Sequence, residues 1–113
     1  MGKLEQYREL VEKVIHAHSQ PDCMTNTDEY EVQAIIDHAN GHYQSGVMGW
    51  RGNKRIRGAT IHIDLKDGKF WIQYDGTEIG VANELVEMGV PKEDIVLAFY
   101  APYRRQFTEF AVA

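Results

Sequence analysis

Residues Thr60 to Gly89, T-I-H-I-D-L-K-D-G-K-F-W-I-Q-Y-D-G-T-E-I-G-V-A-N-E-L-V-E-M-G, decide the fold of this chain. Their hydrophobic period changes near the middle. Up to Tyr74 apolar side chains alternate with polar ones, which is the spacing of strands. After Thr77 they recur every three or four residues, which is the spacing of a helix. The segment therefore predicts a β-hairpin that leads directly into an amphipathic helix.

Two residues compete for the start of that helix. With Asp75 as N-cap, Glu78 occupies the third helical position and can reach back to the Asp75 amide. With Thr77 as N-cap, Glu78 still lies in the positive field of the first turn. Gly89 is predicted to end the helix in a left-handed conformation. The predicted buried stripe consists of Ile79, Ala82, Leu85 and Val86.

The rest of the chain extends this pattern in both directions. Residues 3–19 predict an amphipathic helix that Pro21 ends, and residues 20–29 a loop. Turn signals at Asn40-Gly41, which is typical of a type I′ turn, at 51–54 and at 66–69 separate four strands. These strands are 30–37, 42–50, 55–65 and 70–74. Residues 90–94 predict one helical turn and residues 95–100 a short strand, whereas 103–113 fit a helical turn or an extended tail.

The predicted fold class is α+β, with a single domain over residues 1–113. Its order is an N-terminal helix, a four-stranded antiparallel meander, a second helix, and a short C-terminal strand and tail. A chain of 113 residues is long enough for one hydrophobic core.

Charge and cysteine content narrow the function classes. The net charge of −5 is opposite to that of a typical free-standing DNA-binding domain. Residues 51–113 carry nine Lys/Arg and nine Asp/Glu, so only this part offers a local basic patch. Cys23 is the only cysteine, which excludes an intrachain disulfide and a thiolate metal cage. Without a signal-peptide pattern or a membrane-length apolar run, we expect a cytoplasmic protein that does not contact membranes.

Polar residues of the predicted strands give weak signs of chemistry. His62 and Asp64 share one face of a strand and are interpreted as its polar outer face, because a metal needs three or four ligands. Asp37, Asp64 and Lys66 fit a metal-dependent nuclease, provided that both carboxylates lie on one face within about 8 Å. The other histidines show no metal-ligand spacing: His38 and His42 are expected to be exposed beside a turn, and His18 to be packed. We predict no catalytic residue, metal or cofactor.

Two clusters are better candidates for contact with a partner or with DNA. Arginine beside an aromatic ring suits phosphate contact, base stacking or a protein interface. The first cluster surrounds the second turn and consists of Trp50, Arg51, Lys54, Arg55 and Arg57; the second consists of Tyr103, Arg104 and Arg105. The alternatives are a solvated hairpin tip for the first, and for the second a tail in which Phe107 and Phe110 close the core while the arginines face water.

Along almost its whole length the sequence resembles the XisI family, the cyanobacterial fdxN element excision controlling factor proteins. The similarity starts with K-L-E-Q-Y-R at Lys3, continues through Asp37, H-Y-Q at His42 and G-W at Gly49, and is densest over residues 61–99. It ends with Pro102, Arg105-Gln106 and T-E-F-A-V. The combination D-G-T-E-I-G and G-V-P-K-E-D-I-V-L is highly specific for this family.

The resemblance implies a role in DNA rearrangement. XisI-type proteins act with a partner, XisH, in programmed excision of a DNA element during heterocyst differentiation. The recombination chemistry belongs to a separate recombinase, and XisH-like proteins resemble restriction-type endonucleases. We therefore expect a non-enzymatic accessory protein with an XisH-like partner, which contacts DNA through that complex. Direct DNA binding and metal-dependent nuclease activity are the alternatives. Exposed sheet edges and many aromatic residues also suggest a homodimer.

Overall fold

The computed structural model describes residues 2–20 and 30–113. Its helices are α1 (Lys3–Ala17), α2 (Val81–Glu87) and α3 (Pro102–Arg105). Its strands are β1 (Tyr30–Asp37), β2 (His42–Arg51), β3 (Lys54–Lys66), β4 (Lys69–Asp75) and β5 (Ile95–Leu97), with a single 3₁₀ turn at Lys92–Asp94. The predicted loop at 20–29 lies largely outside the described residues. Of the described helices, none combines the length and apolarity required to cross a bilayer.

The five strands form one sheet in the order β1-β2-β3-β4-β5. The first four are antiparallel neighbours, which confirms the predicted meander. The short C-terminal strand joins the same sheet parallel to β4, with Phe70 opposite Ile95 and Ile72 opposite Leu97. This strand ends at Leu97 and not at Tyr100, because the chain turns and the Tyr100 amide donates to the Leu97 carbonyl at 3.1 Å.

One face of the sheet, which we call the covered face, packs against α1 and α2. The sheet contributes Tyr43, Ile61, Ile63, Phe70 and Ile72 to a core in which each of these side chains is fully buried. The helices contribute Tyr7, Val11, Val14, Ile15, Val81, Ala82 and Leu85. The alternating strands and the helical period therefore meet in a single hydrophobic core.

The second helix starts later than the sequence predicts. It begins at Val81, and Gly80 precedes it with φ of 94°. Ile79 was predicted to be part of the buried stripe, but it lies before the helix and its side chain is 72% exposed. Asp75 still satisfies the helix start from a distance, since its carboxylate accepts hydrogen bonds from the amides of Thr77 and Val81 at 2.9 and 2.8 Å. No side chain caps the helix from the N-cap position itself.

The end of α2 follows the prediction. Gly89 has φ of 99°, its amide donates to the Val86 carbonyl, and the Val90 amide donates to the Leu85 carbonyl. This pair of bonds is a Schellman motif, and the buried side chains of Val90 and Leu85 supply its hydrophobic contact. The motif directs the chain back toward β5.

The first hairpin differs from the predicted type I′ turn. Four residues, 38–41, connect β1 to β2, and of these only Gly41 has a positive φ, at 74°. Its amide donates to the Asp37 carbonyl at 2.9 Å, and its carbonyl accepts from the Leu65 amide at 2.8 Å. A Cβ at this position would lie 2.5 Å from the Leu65 carbonyl oxygen, so the close approach of β3 requires glycine.

The C-terminal segment is partly helical and partly extended. After α3, Ala111 forms a parallel bridge to Val96, and its amide donates to the Ile95 carbonyl. Phe110 packs against the core, as predicted by the alternative in which Phe107 and Phe110 close it. That alternative is wrong for Phe107, which is 81% exposed.

Candidate functional site

The opposite face of β2 and β3, which we call the open face, contains most of the candidate residues. A β-bulge between β2 and β3 decides which side chains reach it. Ser45 pairs with Ile61 and Gly46 with Ala59, so Thr60 is an extra residue in β3. Strict alternation along β3 would place Arg55 and Arg57 on the same side as the buried Ile61. The bulge reverses the alternation and places both arginines on the open face.

The first candidate cluster, Trp50, Arg51, Lys54, Arg55 and Arg57, lies at the distal end of the β2–β3 hairpin and is called the hairpin surface below. Trp50 pairs with Arg55 across the strands, and its side chain is 50% exposed. The Arg55 guanidinium lies 5.2 Å from the Trp50 ring centroid, in cation–π contact. Lys54, Arg55 and Arg57 form no ion pair with any described residue, so their charge is available for an anionic partner.

The second candidate cluster, Tyr103, Arg104 and Arg105, lies on α3 and is called the C-terminal surface. Tyr103 is 70% exposed, and Arg104 lies over the Tyr100 ring at 4.8 Å. Arg105 differs from both because its guanidinium donates to the carbonyls of Tyr100 and Ala98. Arg105 therefore stabilises the turn after β5, and Tyr103 and Arg104 remain the accessible members.

The three residues of the nuclease site suggested by the sequence each contact a different group in the structure. Asp37 and Asp64 share a row of the sheet, since both pair with His42, but two strand spacings of about 5 Å separate their backbones. The Asp37 carboxylate accepts hydrogen bonds from the Asn40 amide and side chain, and these bonds hold its pKa below the usual value. Lys66 lies over the Trp71 ring. Asp37 therefore stabilises the first turn, away from Asp64.

The residue that joins Asp64 is His42. The register places these two residues opposite each other, and His42 Nδ1 lies 2.8 Å from Asp64 Oδ1. His62 Nε2 lies 2.9 Å from the same oxygen. The hydrogen bond and the negative charge of Asp64 raise the pKa of His42. We call these three residues the His–Asp cluster.

Sequence reasoning missed this cluster because His42 is 20 residues from His62 and was expected to be exposed beside a turn. The predicted exposure of His42 is confirmed, since 55% of its side chain is accessible. His42 is nevertheless not isolated, because it contacts Asp64. A consistent register for both hairpins could have found it, had the Thr60 bulge been included. Without that extra residue, His42 would face Ile63 and not Asp64.

Two of the other histidines link elements of the fold: His18 contacts α2, and His38 lies between α1 and β2. His18 was expected to be packed; it is partly buried, and its Nε2 lies within hydrogen-bond distance of Glu84 Oε2 on α2, at 2.9 Å. His38 bonds the Tyr43 hydroxyl at 2.9 Å and approaches Glu12 at 3.3 Å. His16 lies 3.6 Å from another oxygen of Glu12.

The comparisons with known proteins agree with this architecture. The profile of the XisI protein family matches residues 1–112. This chain belongs to the XisI family. A crystal structure of a XisI-like protein from Anabaena variabilis ATCC 29413 is 45% identical, with a TM-score of 0.90 over 97% of this chain and 99% of that one.

A second crystal structure from the same organism carries a functional description, fdxN element excision controlling factor XisI. It is 31% identical to this chain, with a TM-score of 0.86 over 99% of this chain and 100% of that one. The search of functionally curated proteins finds no significant match. Family membership and the helix-covered sheet thus confirm the resemblance and the α+β fold.

Proposed function

We propose that this XisI-family protein is a non-catalytic accessory factor in the cytoplasm that binds an XisH-like, endonuclease-related partner. Through that complex it controls excision of a DNA element. The observation that carries the proposal is its full-length likeness to a protein described as an excision controlling factor. The dispersal of Asp37, Asp64 and Lys66 is consistent with a role in which the cutting chemistry lies elsewhere.

The hairpin surface is the part of the molecule best suited to that contact. Tryptophan and arginine residues that become buried in a complex are frequent energetic centres of protein interfaces, and Trp50 and Arg55 are exposed together here. The chain as a whole has a net charge of −5, so it repels a long polyanion such as DNA even though the hairpin surface is basic. A protein with a small acidic patch interacts mainly with the positive charge of the hairpin surface. We therefore propose that the partner binds at the hairpin surface.

Co-purification of this chain with an XisH-like protein tests the proposal. We expect a stable complex at micromolar concentration. Separately, light scattering of the free chain will show whether it forms the predicted homodimer. Combined substitution of Trp50→Ala and Arg55→Ala should weaken binding at least about thirtyfold, which corresponds to the loss of one interface hot spot of about 2 kcal/mol.

The matched control alters the C-terminal surface. Tyr103→Ala with Arg104→Ala also removes one exposed aromatic ring and one arginine, and it should leave the affinity within about twofold. If the control variant loses binding and the hairpin variant keeps it, the contact lies on α3. If no complex forms at micromolar concentration, the accessory role itself is rejected.

Direct DNA binding is the second candidate. It is favoured by Lys54, Arg55 and Arg57, which form no ion pair within residues 2–20 and 30–113. It requires affinity for duplex DNA that falls steeply with salt, because each neutralised phosphate releases a counterion. Arg55→Ala should then reduce the slope of log affinity against log salt by about one unit. Affinity that is undetectable at low ionic strength would leave only contact through the partner complex.

A further inference from the structure

We propose that His42, His62 and Asp64 form a binding site for a divalent transition-metal ion, with Zn²⁺ as the ion that fits best. Two imidazoles and one carboxylate are a recurrent zinc and non-haem iron ligand set, in which a position remains open for water or a substrate. Nδ1 or Nε2 of each histidine and one Asp64 oxygen all lie within 4.8 Å of one another.

The distances are close to those of a bound ion. Metal–ligand bonds near 2.05 Å in a tetrahedron put neighbouring ligand atoms about 3.3 Å apart. Here both histidine nitrogens lie 2.8 to 2.9 Å from Asp64 Oδ1. Small side-chain rotations that widen these gaps by about half an ångström would admit the ion without moving the strands.

The sheet backbone holds the ligands in place. His62 and Asp64 lie two residues apart on β3, and His42 is the direct partner of Asp64 on β2. A second bulge makes Gln73 an extra residue of β4, between the pairs His62–Tyr74 and Ile63–Ile72. Gln73 Nε2 donates to Asp64 Oδ2 at 3.3 Å, which orients the carboxylate so that Oδ1 points at the histidines. Such outer partners are typical of metal sites.

The exposure of the cluster suits an ion that exchanges with solvent. The Asp64 side chain is 19% exposed, whereas the His42 side chain is more than half exposed, so the cluster is open to solvent on the His42 side. The remaining ring nitrogens of His42 and His62 have no hydrogen-bond partner within residues 2–20 and 30–113. Sites that lack such partners bind metal about 10- to 100-fold more weakly, so we expect a micromolar dissociation constant.

Titration of the metal-free full chain with ZnCl₂ in a calorimeter tests the site. We expect saturable binding of one Zn²⁺ per chain, and with CoCl₂ a visible absorption band of a four- or five-coordinate ion. His42→Ala and Asp64→Asn should each lower the affinity at least about tenfold and abolish the cobalt band. His42 lies on the exposed edge of the cluster, so its removal leaves the core intact, and circular dichroism will verify the fold.

The chain contains a matched control in the group of His16, His38 and Glu12. It has the same donor types at 3.3 and 3.6 Å and belongs to no metal-sized cluster of the described residues. His38→Ala should therefore leave Zn²⁺ binding unchanged. The absence of saturable Zn²⁺ binding overturns the proposal, and it would define the cluster as a hydrogen-bonded His–Asp–His array. Zn²⁺ binding that survives His42→Ala but not His38→Ala also overturns it.

Discussion

The two faces of the β2–β3 pair are built from the same two strands but differ in burial and in charge. On the covered face, Tyr43, Ile61 and Ile63 are fully buried beneath α1 and α2. On the open face, the hairpin surface and the His–Asp cluster remain accessible, although the same strand pairing carries both faces. The contrast shows that the covered face forms the core, and our proposals assign partner and metal contacts to the open face. Substitutions on each face measure how completely these roles are separated.

The largest difference in stability is expected between two isoleucine-to-alanine substitutions, one on each face of the sheet. Ile63→Ala removes a fully buried side chain and leaves a cavity, so it should lower the free energy of unfolding by about 2–5 kcal/mol. Ile35→Ala on the open face removes a side chain that is half exposed, and the loss should stay below about 1 kcal/mol. Urea denaturation of both variants makes the comparison. Equal losses would mean that the open face is covered in solution, for example by a second copy.

The polar anchor beside the core should have the next largest effect. The Tyr7 hydroxyl donates to Asp94 Oδ2 at 2.6 Å, and Lys3 also contacts that carboxylate. Because the hydrogen bond is buried and charge-assisted, Tyr7→Phe should cost about 1.5–3 kcal/mol in chemical denaturation at pH 7. Lys3→Ala is the control, since its contact with Asp94 is more exposed and should cost less than about 1 kcal/mol.

The same anchor predicts a response to alkaline pH. Burial and the neighbouring Asp94 raise the pKa of Tyr7 above its ordinary value of 10.0. The unfolded chain therefore releases this proton first, and the stabilisation is present below pH 10 and lost as pH rises beyond it. Tyr7→Phe should lose less stability than the natural chain between pH 9 and 11. Parallel stability curves for the two proteins would contradict this assignment.

Asp94 predicts a corresponding loss of stability at acidic pH. Burial alone would raise its pKa, but hydrogen bonds from Lys3 and Tyr7 lower it below the ordinary 3.8. Its contribution is present above the unfolded pKa and is lost as pH falls through the lower folded value. Unfolding followed from pH 6 to pH 2 should show a loss that Asp94→Asn reduces. A variant with the same acid sensitivity as the natural chain would assign that loss to other carboxylates.

The start of α2 tests how firmly the covering helix is held. Asp75→Ala removes acceptors for the Thr77 and Val81 amides and should cost about 0.5–2 kcal/mol, as for the loss of a helix cap. Thermal unfolding monitored by circular dichroism measures the change. Asp75→Asn keeps one acceptor oxygen and should recover part of the loss. If Asn were no better than Ala, the carboxylate charge would carry the effect.

The smallest effect on stability is expected on the open face itself. Arg55→Ala should change the free energy of unfolding by no more than about 0.5 kcal/mol, because the residue is exposed and forms no ion pair with the part of the chain that the structure describes. Its effect on partner binding should be the larger one, and both can be measured on the same preparation. A large loss of stability would show that the Trp50–Arg55 pair serves the fold and not the interface.

Much of the fold follows from local sequence patterns. The meander, the position of Gly89 and the burial of Ile61 and Ile63 are predictable because strand and helix periods are properties of neighbouring residues. The errors occur where local rules compete with tertiary ones. The Ile79 position fits the helical period, but Asp75 accepts the Val81 amide across a longer loop. The helix therefore starts at Val81, two residues after Ile79.

The sequence by itself determined the elements of this protein, their order and its family, since each depends on residue types read in succession. Only the tertiary structure decided which polar residues meet. One extra residue at Thr60 shifts the register so that His42 faces Asp64 and Arg57 leaves the core side. A bulge has no sequence signature as regular as a hydrophobic period, yet it exchanges the two faces of a strand. The His–Asp cluster and the accessible arginines both depend on that single insertion.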